Sequence, residues 1–334
     1  MHGEGKWRPF DRTGVGTGFR IRASDCWRIV RRSRGVAMTI IKEEDVVSLG
    51  ISPAQCVEWA KSSFLSKPRA DMPPKISVHP FQDSFYTAMP CYHPDIGRVG
   101  VKVISRVVGG VPAVKSKLML FDAPTGEMLA LIDTNWVTSM RTGAVAALAA
   151  KTFASNFDRA TFGFVGLGVI GKAVLRCLLS IRKTPCDIWL LKYKDQGVRF
   201  SKDFESSDVR FHVVDSREEL IANTSVLFSC VTVMREQFLP ADAYPSGYLC
   251  VPVHTQGFQD CDLVFDRVFG DDARQMQDWK NFSRFKEFAE FSDVLLGKSE
   301  GRRSAEERIL SYNYGLGLHD LWFASRIYDM IVKG

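Results

Sequence analysis

Three kinds of residue in this sequence carry chemistry in their type and spacing: a glycine triplet, lysines set among apolar residues, and an arginine at the start of an alanine-rich helix. The glycines read Gly166-x-Gly168-x-x-Gly171, after the apolar run Thr161 to Val165 and before the helical pattern Val169, Ile170, Ala173, Val174, Cys177, Leu178. Strand, glycine turn and helix in that order form the setting of a dinucleotide-binding turn. Gly166 allows the tight turn, Gly168 leaves room for a pyrophosphate, and Gly171 lets helix pack on strand. The unpaired N–H groups at the helix start, around Val169 and Ile170, favour a phosphate charge. A plain structural turn is the competing reading of such a triplet.

Lys102 is the only charge in the β-type run Gly100-Val-Lys-Val-Ile104. It is either an edge-strand lysine facing water or a functional cation. Arg141 and Thr142 fall in the expected first turn of a helix over Thr138–Phe153. A cation there opposes the helix dipole, so stability does not account for Arg141. It could grip a carboxylate in bidentate fashion, or be a surface arginine. Lys75 follows a stiffening Pro73-Pro74 pair.

Two kinds of texture position these residues. Residues 40–66 read as helix, with Ser52 as cap and Pro53 at the first helical position. Strands are expected at 76–80, 84–89, 100–108, 117–121 and 127–132, the last two joined by the hairpin signal Asp122-Ala-Pro-Thr-Gly126. From Thr161 strands and helices alternate, with strands at 161–165, 187–191, 210–214, 225–230, 247–253 and near 263–269. The fold class is therefore α/β, a Rossmann doubly wound parallel sheet plus an α+β domain of mainly antiparallel strands. A last helix, about Leu318 to Ile331, is expected to pack on the first part. The domain division is 1–37 as a disordered basic extension, 38–150 with 305–334 as the substrate-binding part, and 151–304 as the dinucleotide-binding part.

The chain has 334 residues and a net charge of +6. Residues 1–37 hold nine Lys/Arg against three acids, and the body from Met38 is balanced. A neutral body gives no electrostatic case for nucleic acid. No apolar run nears the roughly 18 residues that span a bilayer, so no membrane partner is expected. The eight cysteines are scattered, without CxxC or Cys/His metal spacing. This points to a reducing, cytoplasmic protein with no metal site.

Gly100-Val-Lys102, then Met140-Arg-Thr-Gly-Ala-Val-Ala-Ala-Leu-Ala-Ala-Lys151, then Gly166-Leu-Gly-Val-Ile-Gly171, then Asn313-Tyr-Gly-Leu-Gly-Leu-His-Asp320 occur in one order and spacing. The set resembles the ornithine cyclodeaminase/mu-crystallin family over about residues 40–332. The resemblance implies a homodimer whose Rossmann domain is inserted between two parts of a catalytic and dimerisation domain. It implies NAD(P)-dependent redox chemistry at the Cα of a small amino acid, keto acid or imine. The resemblance makes Lys102 the active-site lysine and Arg141 a carboxylate-binding arginine. Lys75 stands where the family usually has a second arginine. Thr142, Thr232 after the fourth Rossmann strand, and Asn313 are further candidates for the cofactor side. Mu-crystallin-like members offer the alternative of non-catalytic NADP(H) and small-ligand binding.

Two departures from the family matter. Ornithine-using members carry an aspartate after the late Rossmann strand. Here the segment is Val251-Pro-Val-His-Thr-Gln-Gly-Phe-Gln-Asp260, with Thr255 at that place and His254 beside it. The resemblance itself implies an ornithine cyclodeaminase-like lyase/oxidoreductase; the missing aspartate puts ornithine cyclisation in doubt and makes ketimine reduction or amino-acid dehydrogenation chemically attractive. His254 becomes a candidate acid or base. The acid that binds a ribose 2′-hydroxyl comes roughly 20 residues after the glycines. Here Tyr193 takes that place, flanked by Lys192 and Lys194, and Asp195 follows. Two cations favour NADP over NAD.

Overall fold

The computed structural model describes residues 38–333 apart from 205, 207, 232, 233, 235, 255–257, 259 and 260. The proposed extension 1–37, Thr232 and Thr255 lie outside the described residues.

The first part runs β1 (Thr39–Ile41), α1 (Glu43–Ser48), α2 (Pro53–Ser66), β2 (Ile76–Val78), β3 (Phe85–His93), β4 (Arg98–Arg106), β5 (Val114–Asp122), β6 (Met128–Asp133) and α3 (Asn135–Phe153). The second runs β7 (Phe162–Val165), α4 (Val169–Ile181), β8 (Cys186–Leu191), α5 (Gln196–Lys202), β9 (Val209–Val214), α6 (Arg217–Ala222), β10 (Val226–Ser229), β11 (Leu249–Pro252), β12 (Arg267–Gly270), α7 (Ala273–Met276), β13 (Phe288–Glu290), α8 (Phe291–Leu295), β14 (Ile309–Tyr312) and α9 (Gly317–Lys333). No helix among the described residues is long and apolar enough to cross a membrane.

The first sheet has the order β1-β6-β5-β4-β3-β2. It is antiparallel except where β1 joins β6. The second is all parallel, in the order β13-β12-β14-β11-β10-β7-β8-β9. Its doubly wound core, with β7 at the centre and the chain winding outward on both sides, is the arrangement expected from the alternating texture.

Three expectations are corrected. Residues 40–66 do not form one helix. Thr39–Ile41 pairs with β6, and Gly50, at φ +61°, separates α1 from α2. In α2 the cap behaves as read, with Ser52 accepting from the Gln55 amide at 3.2 Å. α3 begins at Asn135, so Arg141 and Thr142 sit in its second turn and the dipole argument for Arg141 does not apply. The sixth Rossmann strand begins at Arg267, after a short 3-10 turn at Asp262–Val264. β13 and β14 had no counterpart in the sequence reading, and β14 inserts between β11 and β12.

α3 lies between the sheets and is buried on nearly every side, as its run of alanines allows. At Gly143 a Cβ would stand 2.5 Å from the Ala173 carbonyl carbon, so α3 packs backbone-close on α4. α9 covers the inner face of the first sheet, where Arg98 of β4 meets Asp329 at 2.7 Å and Trp59 of α2 packs on Phe323.

Candidate active site

Alternation along β4 turns Gly100 and Lys102 inward and Val101 and Val103 outward. Lys102 lies in a cross-strand row with Met89 and Leu118, and is fully buried. The water-facing reading of this lysine is thereby excluded. An ammonium in such a row needs a partner, and Asp320 in the first turn of α9 supplies it at 2.8 Å. A carboxylate is favoured in that first turn. The same oxygen accepts from Arg141 Nε at 3.3 Å. The other Asp320 oxygen, Oδ2, is buried with no hydrogen-bond partner among the described residues.

A second carboxylate, Asp271, follows β12. It is buried and accepts from the Gly315 amide at 2.7 Å and from Asn313 Nδ2 at 3.2 Å. Gly315, at φ +84°, has no room for a side chain, since the Arg141 guanidinium occupies the position a Cβ would take. Lys75 donates to the Tyr314 carbonyl at 2.9 Å and lies 4.3 Å from the centre of its ring. Lys75, Lys102 and Arg141 therefore meet Asp271 and Asp320 in one cluster.

Burial, and then Arg141, bring the Lys75 pKa down to about 7. Burial lowers Lys102 to about 8, with Asp320 resisting and Arg141 adding to the fall. Burial raises the Asp320 carboxyl, but Lys102 and Arg141 outweigh it and leave the group below its ordinary value. Asp271 is raised by burial. His319 is fully buried against Ser63 Oγ at 2.6 Å, and burial followed by Arg141 pushes it down to about 3, so it stays neutral.

The glycine turn lies at the C-terminal end of β7, on the same sheet edge as Asp271, Asn313 and His254. Ligands of open α/β sheets bind outside that edge. Gly166 has φ +87°, and a Cβ there would stand 2.6 Å from the Cys230 carbonyl carbon. A Cβ on Gly171 would stand 2.5 Å from the Gly166 carbonyl oxygen, whereas one on Gly168 meets nothing within 4 Å. No side chain caps α4, and Val169 is largely exposed in its first turn. A pocket of about 260 Å³ lined by Gly168, Val169, Lys172, Gln196 and Arg199 adjoins this turn. A turn open at Gly168, closed at Gly166 and Gly171, with free helical N–H groups, fits a dinucleotide pyrophosphate.

The remaining sequence candidates are spread more widely. Tyr193 and Lys194 stand exposed after β8, Lys194 at φ +53°. Thr142 is buried in α3 and donates its hydroxyl to the Thr138 carbonyl at 2.7 Å. Asn313 holds Asp271 and accepts from Ser311 at 3.3 Å, so its amide is committed within the cluster. His254 Nε2 pairs with Ser229 Oγ at 2.7 Å at the end of β10, next to β7 and the glycine turn. Sequence reasoning assigned no role to Asp271 or Asp320. Two signals pointed there: a carboxylate at the start of an apolar helix, and an Asp pair directly after an apolar strand.

The ornithine cyclodeaminase/mu-crystallin family model matches residues 38–334. The chain belongs to this family. It is 27% identical over 271 residues to the nodulation efficiency protein NfeD of Rhizobium meliloti, covering 77% of this chain and 83% of that one. It is 26% identical over 312 residues to the alanine dehydrogenase of Archaeoglobus fulgidus, covering 87% and 94%. Its fold matches the Δ1-pyrroline-2-carboxylate reductase of Thermococcus litoralis, solved with NADH and L-proline. The TM-score is 0.77 at 21% identity, covering 89% of this chain and 98% of that one.

Proposed function

We propose that this chain is an NAD(P)-dependent oxidoreductase acting at the Cα of a small amino acid or its imine. The buried cluster carries this reading. Three cations and two carboxylates converge on the edge of a parallel sheet that also bears the glycine turn. Arg141 and Lys75 hold the substrate carboxylate. Asp320 Oδ2 is the acceptor for an N–H of the amine or imine on the same carbon. Lys102, fixed by Asp320, polarises the reacting centre and holds or returns a proton. Its pKa of about 8 suits proton exchange near neutral pH. Gly166, Gly168, Val169, Ile170 and Gly171 cradle the cofactor pyrophosphate. When bound, NAD(P)(H) supplies or receives the hydride. Tyr193 and Lys194 face its adenosine ribose. NADP(H) is favoured because Asp195 is already engaged by Arg199 at 2.5 Å, while Lys194 has no ion pair among the described residues.

Imine reduction or amino-acid dehydrogenation is favoured over ornithine cyclisation. At the end of β11 a distal amine meets an imidazole, His254, bonded to Ser229. The substrate part comprises the first sheet with α2, α3 and α9, and the cofactor part the second sheet including β14. A homodimer is supported by the outer face of the first sheet. Pro90, Val101, Met119, Leu131 and Ile40 form a cross-strand apolar row, none of it buried. Such a row marks an association surface.

The test is turnover by the full chain with NADH and NADPH. The panel is 2-oxo acids with ammonia, Δ1-pyrroline-2-carboxylate, and ornithine with the oxidised cofactor. Loss of reduced-nicotinamide absorbance with an oxo acid plus ammonia, or with the cyclic imine, is the expected result. Ammonia release from ornithine without net reduction would make the chain a cyclodeaminase. Cofactor binding with the whole panel inert would make it a binding protein of the mu-crystallin type.

A further inference from the structure

The cations of the cluster are not equivalent. Lys102 has a carboxylate at 2.8 Å and Arg141 touches the same oxygen. Lys75 contacts only neutral groups, the Tyr314 carbonyl and ring, and no carboxylate of the described residues lies within ion-pair range of it. The neighbouring cations are paired: Lys67 with Asp272 and Glu290, and Arg274 with Asp272. Within the cluster, Lys75, Lys102 and Arg141 face only Asp271 and Asp320, and His319 is neutral. With every acid and base ionised, these five groups carry one net positive charge, and Asp278, across the pocket that Lys75 lines, makes no ion pair with it.

That surplus matches one carboxylate group. We propose that the cluster binds a single carboxylate together with one proton, and that Lys75 takes the proton up; this rests on the oxidoreductase reading above. The charged groups facing Lys75 are Arg141 from α3, Lys102 from β4, Asp271 after β12 and Asp320 from α9. Arg274 and Asp278 stand with it and Trp279 around a pocket of about 270 Å³. A guanidinium does not give up its proton to serve as the switch, and Lys102 is held by its own carboxylate. Lys75 is the cation free to lose its proton when no anion is present. Burial and Arg141 bring its pKa to about 7. An arriving carboxylate supplies the missing negative charge and pulls that value up, so binding draws a proton through the pocket. Affinity for a carboxylate is then flat below neutrality and falls about tenfold per pH unit above it, one proton being linked to one ligand.

The test is calorimetric titration of the full chain, with NADH bound, using pyrrole-2-carboxylate, an aromatic monocarboxylate that takes no hydride. Two buffers of different ionisation heat report the protons moved. A pH unit above neutrality the uptake should approach one proton per site, and a pH unit below it should be close to zero. In Lys75→Arg, whose charge is permanent, uptake should largely vanish and affinity should become flat over the same range. Binding by the wild type without proton uptake would overturn the inference alone. So would undiminished uptake in Lys75→Arg, which would transfer the role to Lys102. Failure of the wild type to bind pyrrole-2-carboxylate at all would overturn it together with the carboxylate site beneath it. The wild-type buffer comparison needs no variant to fold.

Discussion

Lys102 and Lys194 both belong to the proposed crevice, one at its reacting end and one at its adenosine end. Lys102 is fully buried on a central strand, and its carboxylate partner is also fully buried. Lys194 stands at the exposed end of β8 with the Tyr193 ring 5.5 Å away. Neighbouring bridges there, Lys192 with Asp215 and Arg199 with Asp195, join exposed side chains. Removing one partner of a buried pair strands a desolvated charge and costs roughly 3–5 kcal/mol. Exposed pairs contribute about 0–1 kcal/mol. The reacting end is therefore built to be invariant in geometry, and the adenosine end can be retuned residue by residue without disturbing the fold.

The largest break in this contrast is Lys102→Met. Turnover should fall by about 10²–10⁴-fold, the usual worth of a positioned acid or base. Unfolding stability should also drop, toward the lower end of roughly 3–5 kcal/mol, because Arg141 still contacts Asp320. A Lys102→Met/Asp320→Leu double variant should regain only part of the stability, because it leaves the buried Arg141 without its carboxylate, and none of the turnover. Thermal denaturation beside a turnover assay checks both; full turnover in Lys102→Met would remove the lysine from the mechanism.

Next in size are the glycines, which separate fold from ligand within one turn. Gly166→Ala puts a Cβ against the Cys230 backbone at a positive φ. It should cost about 1–3 kcal/mol of stability and abolish cofactor binding. Gly168→Ala meets no protein atom within 4 Å. Its melting temperature should be unchanged while NAD(P)H affinity falls at least tenfold, read by nicotinamide fluorescence. Equal cofactor affinity in Gly168→Ala and wild type would show that no pyrophosphate approaches there.

A smaller effect is expected from pH. Burial, above all, brings Lys102 to about 8 from an ordinary 10.5. Between those values the unfolded chain binds the extra proton, so this residue's contribution to stability rises with pH across that window. If the lysine gives its proton during imine reduction, turnover in that direction should fall as pH passes about 8. Asp320 is the group holding that value up. Asp320→Asn should therefore move the break to lower pH, and a profile unmoved by the substitution would separate the break from Lys102.

The residues that were legible in the sequence, and those that were not, divide along physical lines. The glycine turn was readable because a strand, a tight turn and a helix are local and leave their periods in contiguous residues. Lys102 was visible as a charge out of place in an apolar strand, whereas Arg141 was singled out by a helix-dipole argument that the true start of α3 removes. Asp320 and Asp271 were not assigned because their meaning is tertiary. Asp320 lies 218 and 179 positions along the chain from the two cations it bonds, Lys102 and Arg141, Asp271 is held by Asn313 and the Gly315 amide more than 40 positions on, and a helix-start aspartate is also what ordinary capping would produce. β14 escaped because a four-residue strand inserted out of sequence order carries no periodic signal of its own. The start of α3 was set too late because Asn135-Trp-Val lacks the alanine-rich texture that marks the rest of the helix.

The smallest effect belongs to the adenosine end and sharpens the contrast most. Lys194 is offered to a ribose 2′-phosphate from an exposed position, where a single ion pair contributes about 0–1 kcal/mol. Lys194→Ala should accordingly weaken NADPH binding about fivefold or less, leave NADH binding alone and leave the melting temperature unchanged, because the side chain supports nothing beneath it. A second substitution, Arg199→Ala, releases Asp195 from its i,i+4 bridge. The freed carboxylate can then accept from ribose hydroxyls and repel a phosphate, so the pair should move preference toward NADH further than either change alone. Binding titrations with both cofactors decide it. Equal NADH and NADPH affinities that neither substitution alters would mean that this end of the crevice does not read the 2′ position, and that cofactor choice resides in residues other than Lys194 and Arg199.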